Sequence, residues 1–271
     1  MVLQDNNFTV VKVARNEDLS EQIGRDIVFD LVNHDKLRCF CIKNQIPFYT
    51  FKEAAAKEFG IPVQFQRFWL WAKRENLTYR PHRPLTHEEE TQTCSSRVHN
   101  LTSLEYGPYG EDSYLIHPPE ICKEDILIFF KLYDPAIEKL RYVGRLLVKS
   151  TGRPSGILMK LNEMAGFFSS QEIDLYEEIK FEPSVLCEPI EKELTFQASQ
   201  LENGDIVCFQ KSPTVGSGQQ YRYPDVPSYL EYVHDRQVPK LFLFFDSMCF
   251  SCIICSRVCF QGSKRIIFCS G

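Results

Sequence analysis

The feature that most constrains the fold is a unit that occurs twice along the chain. The first copy, residues 36–71, has the pattern of a strand, a helix over Pro47–Phe59 that ends at Gly60, and a second strand. The second copy, residues 125–181, has two strands, a helix that ends at Gly166 and a return strand. In both copies apolar residues recur at helical spacing, and a glycine follows the last helical residue, as is typical of a helix end.

A hairpin, a packed helix and a return strand together make a β-grasp, or ubiquitin-like, unit. We therefore expect an α+β chain of two tandem β-grasp domains, at residues 1–105 and 120–238, with an irregular linker over 106–119. Residues 80–119 show no apolar periodicity and are rich in proline, glycine and glutamate, so they are interpreted as a long loop or linker. If the first domain needs a last strand, that strand must come from this stretch, where its position is left unassigned.

Shorter elements are expected around the repeated unit. Residues 8–13 and 27–29 have the composition of short strands. In the second domain a final hairpin is expected to begin at residues 194–198 and to turn at Asn203-Gly204. A short amphipathic helix is expected over residues 223–236.

Charge and cysteine usage limit the classes of partner and compartment. The net charge of the chain is −5, and residues 120–238 alone carry 13 basic and 19 acidic side chains. This acidic segment favours a basic peptide over nucleic acid as a partner. Residues 1–10 lack the apolar core of a secretory signal, and the cysteines before residue 239 have no regular spacing, which is typical of a reducing compartment.

Several blocks of sequence carry a family resemblance: residues 66–74, 79–81, 131–135, 175–180 and 203–211. In this order they resemble the tandem ubiquitin-like region of the herpesvirus-associated ubiquitin-specific protease family, and its plant members in particular. In that family a substrate-binding MATH domain comes first, a papain-like catalytic domain second and a string of ubiquitin-like domains last. The resemblance implies a non-catalytic fragment that supports a catalytic domain present in full-length relatives, with residence in the nucleus and cytoplasm.

No catalytic site and no cofactor are expected within the chain itself. No Gly-rich block surrounds a nucleophilic cysteine, and no histidine box follows it, as a cysteine protease requires. The alternative stays open that the chain is part of a working cysteine-type deubiquitinase, which removes ubiquitin from proteins. A ubiquitin-like modifier is disfavoured, because the chain ends Ser270-Gly271 without paired glycines.

The resemblance also implies a site for Lys- or Arg-bearing peptides at an acidic loop of the second domain. Glu202, Asn203 and Asp205 occupy that stretch here. Clustered carboxylates on a tight turn accept hydrogen bonds from an ammonium or a guanidinium. Asp205 matches the pattern, whereas Asn203 stands where the family has aspartate, so the local negative charge is lower.

A second candidate partner surface comes from Trp69 and Trp71, which alternate with Phe68 and Leu70 and therefore share one face of a strand. One interpretation is that a neighbouring element covers this face. The other is that the two tryptophans form an exposed patch for a partner protein.

The last segment, residues 239–271, is rich in Cys, Phe and Ile and does not resemble the family. Cys249, Cys252, Cys255 and Cys259 have the spacing of a bacterial ferredoxin-type cluster. Phe260 follows where proline is usual, and a single such run exists, so an iron–sulfur protein is the lesser alternative. A membrane anchor is not expected, because the apolar stretch 241–255 contains Asp246 and is shorter than the roughly 20 residues that span a bilayer.

Overall fold

The computed structural model describes residues 8–19, 31–74, 78–94, 101–106, 117–118, 120–181, 183–213 and 220–236. Within them the chain forms two five-stranded mixed sheets. We refer to residues 8–106 as the first unit and to residues 120–236 as the second unit. The fold is mixed α and β, in agreement with the sequence prediction.

The sheet of the first unit has the strand order β2-β1-β5-β3-β4. Strand β1 lies antiparallel to β2 and parallel to β5, and β3 lies antiparallel to both β5 and β4. Its strands are β1 (Phe8–Ala14), β2 (Arg38–Lys43), β3 (Gln66–Lys73), β4 (Tyr79–Pro84) and β5 (Leu101–Tyr106).

One helix covers this sheet on one face. Helix α1 (Phe48–Phe59) buries Phe48, Phe51 and Ala55, which recur at helical spacing along a single face. Gly60 follows in the left-handed conformation, with a φ of 72°, and ends the helix as predicted. The buried side chains of α1 pack against the inward face of the sheet, which includes Val11, Val13, Ile42, Phe68 and Leu70.

The sheet of the second unit has the order β7-β6-β10-β8-β9, which is the same order when strands are counted along each unit. Strand β10 lies parallel to β6 and antiparallel to β8, again as in the first unit. Its strands are β6 (Asp125–Asp134), β7 (Lys139–Lys149), β8 (Ile173–Lys180), β9 (Leu186–Pro189) and β10 (Ile206–Lys211).

Two helices lie on opposite faces of this second sheet. Helix α3 (Leu158–Ala165) follows a 3-10 turn at Pro154–Ile157 and buries Leu161 in a cluster with Ile128 and Phe130. Helix α4 (226–236) buries its apolar side chains in a cluster with Leu127, Phe129 and Tyr133. Successive residues of a strand point to opposite faces, so β6 contributes alternately to the two clusters.

Two sequence predictions about loops are wrong. Residues 80–119 were interpreted as a loop or linker from which any last strand of the first domain must come; they do contain that strand, β5, but also most of β4 and a helical turn α2 (His87–Glu90). The expected final hairpin is absent from the described residues, because residues 196–200 form turns and β10 pairs with β6 and β8 instead. The predicted strand at 27–29, residues 107–116 of the predicted linker and the tail 239–271 lie outside the described residues.

The two units pack against each other through one hydrophobic cluster. We call it the shared core. The first unit contributes Ala14, Leu19, Leu31, Val32, Leu37, Trp69 and Trp71. The second unit contributes residues from β6, β7, β10 and α4, together with Phe181. Among the helices that the structure describes, none combines the length and the apolarity that a membrane crossing requires.

Candidate functional site

The acidic turn, residues 202–205, leads into β10 and is held by the backbone of β6. The Leu127 amide donates to Asn203 Oδ1 at 2.8 Å, and the Gly204 amide donates to the Leu127 carbonyl at 2.8 Å. The Phe129 amide donates to the Asp205 carbonyl at 2.9 Å. These bonds leave the turn little freedom, so its carboxylate and carbonyl groups have fixed positions.

The acidic turn also contacts the first unit closely. Gly204 has a φ of 88°, in the left-handed region that favours glycine. A β-carbon at this position would overlap the Pro81 carbonyl oxygen and lie 3.0 Å from Arg80 Cβ. The sequence places glycine here because the turn of the second unit touches the backbone of β4 in the first unit.

Asp205 does not face solvent. Its side chain is 5% exposed and forms an ion pair with the Arg74 guanidinium, which lies just after β3 of the first unit. The second terminal nitrogen of Arg74 donates to the Asn203 carbonyl at 2.7 Å, and the Glu202 amide donates to Asp205 Oδ2 at 2.6 Å. Glu202 is exposed. The structure therefore places the Asp205 carboxylate and the Asn203 carbonyl against a cationic side chain of the same chain, whereas Glu202 contributes its backbone amide to Asp205.

Glu177 extends this acidic group and was not singled out from the sequence. It lies on β8 opposite Val207, two residues beyond Asp205, and it pairs in register with Glu188 on β9. Partial burial, with the negative charges of Asp205 and Glu188, raises the pKa of Glu177 to about 7, although Arg74 acts in the opposite direction. The acidic pair Glu177-Glu178 within β8 was the sequence signal that could have identified Glu177.

The raised pKa of Glu177 predicts a pH dependence of stability. The folded protein holds the Glu177 proton more tightly than the unfolded chain does, so stability falls as pH rises from about 4.5 to about 7. Glu177→Gln removes this penalty. The variant should match the unmodified chain near pH 4 and exceed it by on the order of 2 kcal/mol above pH 7. Urea unfolding of both proteins across this range measures the difference, and a difference independent of pH would contradict the assignment.

A buried group of charges lies at the centre of the contact between the units. Lys131 Nζ donates to both Glu178 oxygens, at 2.9 and 2.7 Å, and both side chains are 1% exposed. Arg80 of the first unit approaches Glu178 at 3.8 Å. Cys208 Sγ donates to the same carboxylate at 3.6 Å. Glu178 therefore links a strand of the second unit to a cation of the first.

Three thiols, the buried Cys94 and Cys208 and the half-buried Cys187, have the properties of structural cysteines. Burial raises the pKa of Cys94 to about 11, and burial followed by the nearby Glu178 charge raises the pKa of Cys187 and Cys208 well above the usual range. A thiol with a raised pKa is a poor nucleophile at neutral pH. These three side chains therefore do not have the environment of a protease nucleophile.

Trp69 and Trp71 are buried, at 1% and 3% exposure, and both belong to the shared core. Their common face is confirmed, and the second unit covers it. Binding of an external partner at these tryptophans stays a prediction that would require the two units to separate.

The cysteines of the C-terminal run lie outside the described residues, and within the described residues no group of three or more metal-ligating side chains occurs.

Comparison with known proteins identifies the family. The family model described as the ICP0-binding domain of Ubiquitin-specific protease 7 matches residues 66–242, from the start of β3 to beyond α4. The chain belongs to this family. The ICP0-binding-domain match includes Arg74, Arg80 and Pro81 as well as the acidic turn, so both sides of the contact between the units lie within it.

Two plant relatives match most of the chain. Ubiquitin C-terminal hydrolase 13 of Arabidopsis thaliana is 53% identical over 248 residues, and Ubiquitin C-terminal hydrolase 12 of the same plant is 54% identical over 244 residues. Each match covers 88% of this chain and 22% of the relative. The chain thus spans about a fifth of the length of these relatives. The family resemblance that the sequence predicts is confirmed.

Proposed function

We propose that this chain is a non-catalytic protein-binding region of a deubiquitinase, built from two tandem β-grasp units. The identical strand order of the two sheets supports the β-grasp assignment. The acidic turn captures Lys- or Arg-bearing segments of substrate or regulatory proteins. The same region supports a catalytic domain in longer relatives. Hydrolysis of ubiquitin linkages then belongs to parts of those proteins beyond the segment that this chain matches.

The observation that carries the proposal is the Arg74 guanidinium at the acidic turn. A cationic side chain rests on Asp205 and the Asn203 carbonyl, so the turn has acceptors arranged for such a group. Glu177 adds a further carboxylate nearby, and its partly buried position makes it sensitive to an added positive charge. A cationic side chain is the ligand type that suits this group of acceptors.

Fluorescence-polarisation titration of the full chain with labelled Lys- and Arg-bearing peptides tests the proposal. We expect binding that weakens as salt is added, because the contact is between opposite charges. Asp205→Asn should weaken it about tenfold or more, since a charge-assisted hydrogen bond is lost. Asp235→Asn is the matched control, because this aspartate is 83% exposed at the end of α4.

The two variants distinguish a specific role of Asp205 from a general effect of charge. Equal losses in both variants would indicate a general effect of charge, and binding that survives Asp205→Asn in a folded protein would place the site elsewhere. Circular dichroism and melting of each variant check that it is folded. Absence of binding across the peptide panel, in every variant, would contradict the proposal.

A further inference from the structure

Arg74 occupies the acidic turn in the way that an external ligand would. It comes from the first unit, 131 residues away in the sequence from Asp205. One terminal nitrogen pairs with Asp205 Oδ1, and the other donates to the Asn203 carbonyl oxygen at 2.7 Å. The Arg74 side chain remains 27% exposed, so solvent reaches it while it is bound.

The two acceptors suit a guanidinium better than an ammonium. They belong to different residues, and each is contacted by a different nitrogen of one planar group. A guanidinium presents its donors in a rigid fork, whereas an ammonium is a compact point charge on a flexible stem. The bonds from β6 hold both acceptors in place, so the turn is shaped before any ligand arrives.

We infer that the acidic turn is a guanidinium site that Arg74 fills in cis, so that an arginine side chain of a partner binds by displacing Arg74. This inference rests on the proposed function and specifies both its ligand class and its regulation. Displacement needs only a change in the Arg74 side chain. The Arg74 amide stays bonded to the Thr78 carbonyl at 2.8 Å, and the contact of Gly204 with Pro81 is made by other residues.

Occupancy of the acidic turn by Arg74 has a quantitative consequence for the affinity of a partner. The apparent dissociation constant of a partner is its intrinsic value divided by the fraction of the site that is free. If Arg74 occupies the turn about nine-tenths of the time, its removal strengthens binding about tenfold. The same removal leaves the Asp205 carboxylate and the Asn203 carbonyl in place for the partner.

The experiment compares the full chain with Arg74→Gln, Arg74→Lys and Arg83→Gln. Arg83 is the matched control, because it forms its ion pair with Glu89 inside the first unit rather than with the acidic turn. The probes are two labelled peptides of glycine and serine that carry either two arginines or two lysines. We expect Arg74→Gln to bind the arginine peptide about tenfold more tightly than the unmodified chain. Arg74→Lys should give a smaller gain and Arg83→Gln none, and the arginine peptide should bind more tightly than the lysine peptide.

The result distinguishes failure of this inference from failure of the proposed function. If Arg74→Gln binds no more tightly than the unmodified chain while Asp205→Asn still weakens binding, occupancy of the turn by Arg74 is wrong and peptide capture stands. If no variant binds either peptide, both the inference and the proposed function are wrong.

A direct readout of displacement is the side-chain Nε–H signal of Arg74 in NMR spectra of the unmodified chain. It should shift on addition of the arginine peptide, and an unchanged signal at saturation would overturn the displacement step.

Discussion

Replacement of Glu178 by alanine is expected to destabilise the protein by about 3–5 kcal/mol, because it leaves a buried ammonium without its partner. Lys131 and Glu178 are each 1% exposed and share two hydrogen bonds, and Arg80 lies next to the same carboxylate. The loss is measured as the free energy of unfolding in urea. The cost comes from the unpaired charge more than from the pair itself, so Lys131→Met combined with Glu178→Leu should recover part of the stability; the recovery is incomplete because the buried Arg80 also loses this carboxylate.

The control for this prediction is a second Lys–Glu pair on the surface. Lys160 and Glu163 on α3 are separated by 2.8 Å, and their side chains are 53% and 70% exposed. Glu163→Ala should change stability by less than about 0.5 kcal/mol, since solvent screens this pair. A loss below 1 kcal/mol for Glu178→Ala would show that water reaches Lys131 and that the contact between the units is looser than its geometry indicates.

Trp69→Ala is expected to cost about 3–5 kcal/mol, from the lost burial of the indole and the cavity left in the shared core. Trp69 is 1% exposed and lies among residues of both units. Tyr49→Ala is the matched aromatic control, because Tyr49 is 53% exposed on α1, and it should cost less than about 1 kcal/mol. Unfolding followed by fluorescence and by circular dichroism would report the change.

The Trp69 variant also tests whether the units act together. If the shared core joins them, the loss should appear in the unfolding of both units, so signals from either unit shift to lower urea concentration together. A variant in which only the first unit is weakened would contradict a core shared by both.

Elements with strong periodicity were predictable from the sequence. Helix α1 is an example, because Phe48, Phe51 and Ala55 mark one face and Gly60 marks its end. Strand β6 was predictable as a continuous apolar run, since both of its faces are buried. In these segments the local pattern and the tertiary burial agree, so local reasoning was sufficient.

Strand β4 could not be predicted in the same way. It contains Pro81 and Pro84, which weaken any strand pattern, and its buried Arg80 is polar. The strand lies at the edge of its sheet, where proline is tolerated because one side needs no hydrogen-bonded neighbour. The second unit buries part of β4. The apolar pattern within β4 carries no information about this contact, because the contacting residues are distant in the sequence.

The candidate site was predictable only in part. Glu202, Asn203 and Asp205 were identified through the family resemblance, and the structure places them on one turn. The position of Arg74 depends on how the two units pack, so no spacing in the sequence could pair it with Asp205. Trp69 and Trp71 were correctly placed on one face, but only the packing shows that the face is covered by the same chain.

The hydrogen bonds between the acidic turn and Leu127 also bear on the chemical ageing of the protein. Asn-Gly is a dipeptide prone to deamidation, since the glycine backbone nitrogen, unhindered by a side chain, attacks the asparagine side-chain carbonyl and expels ammonia, and water then opens the resulting succinimide to a carboxylate. Here the Gly204 nitrogen is committed to the Leu127 carbonyl and Asn203 Oδ1 to the Leu127 amide, so the attack requires both bonds to break. While the acidic turn stays hydrogen-bonded to β6, position 203 is protected from slow conversion to a carboxylate. Molecules in which these hydrogen bonds have opened would be converted first.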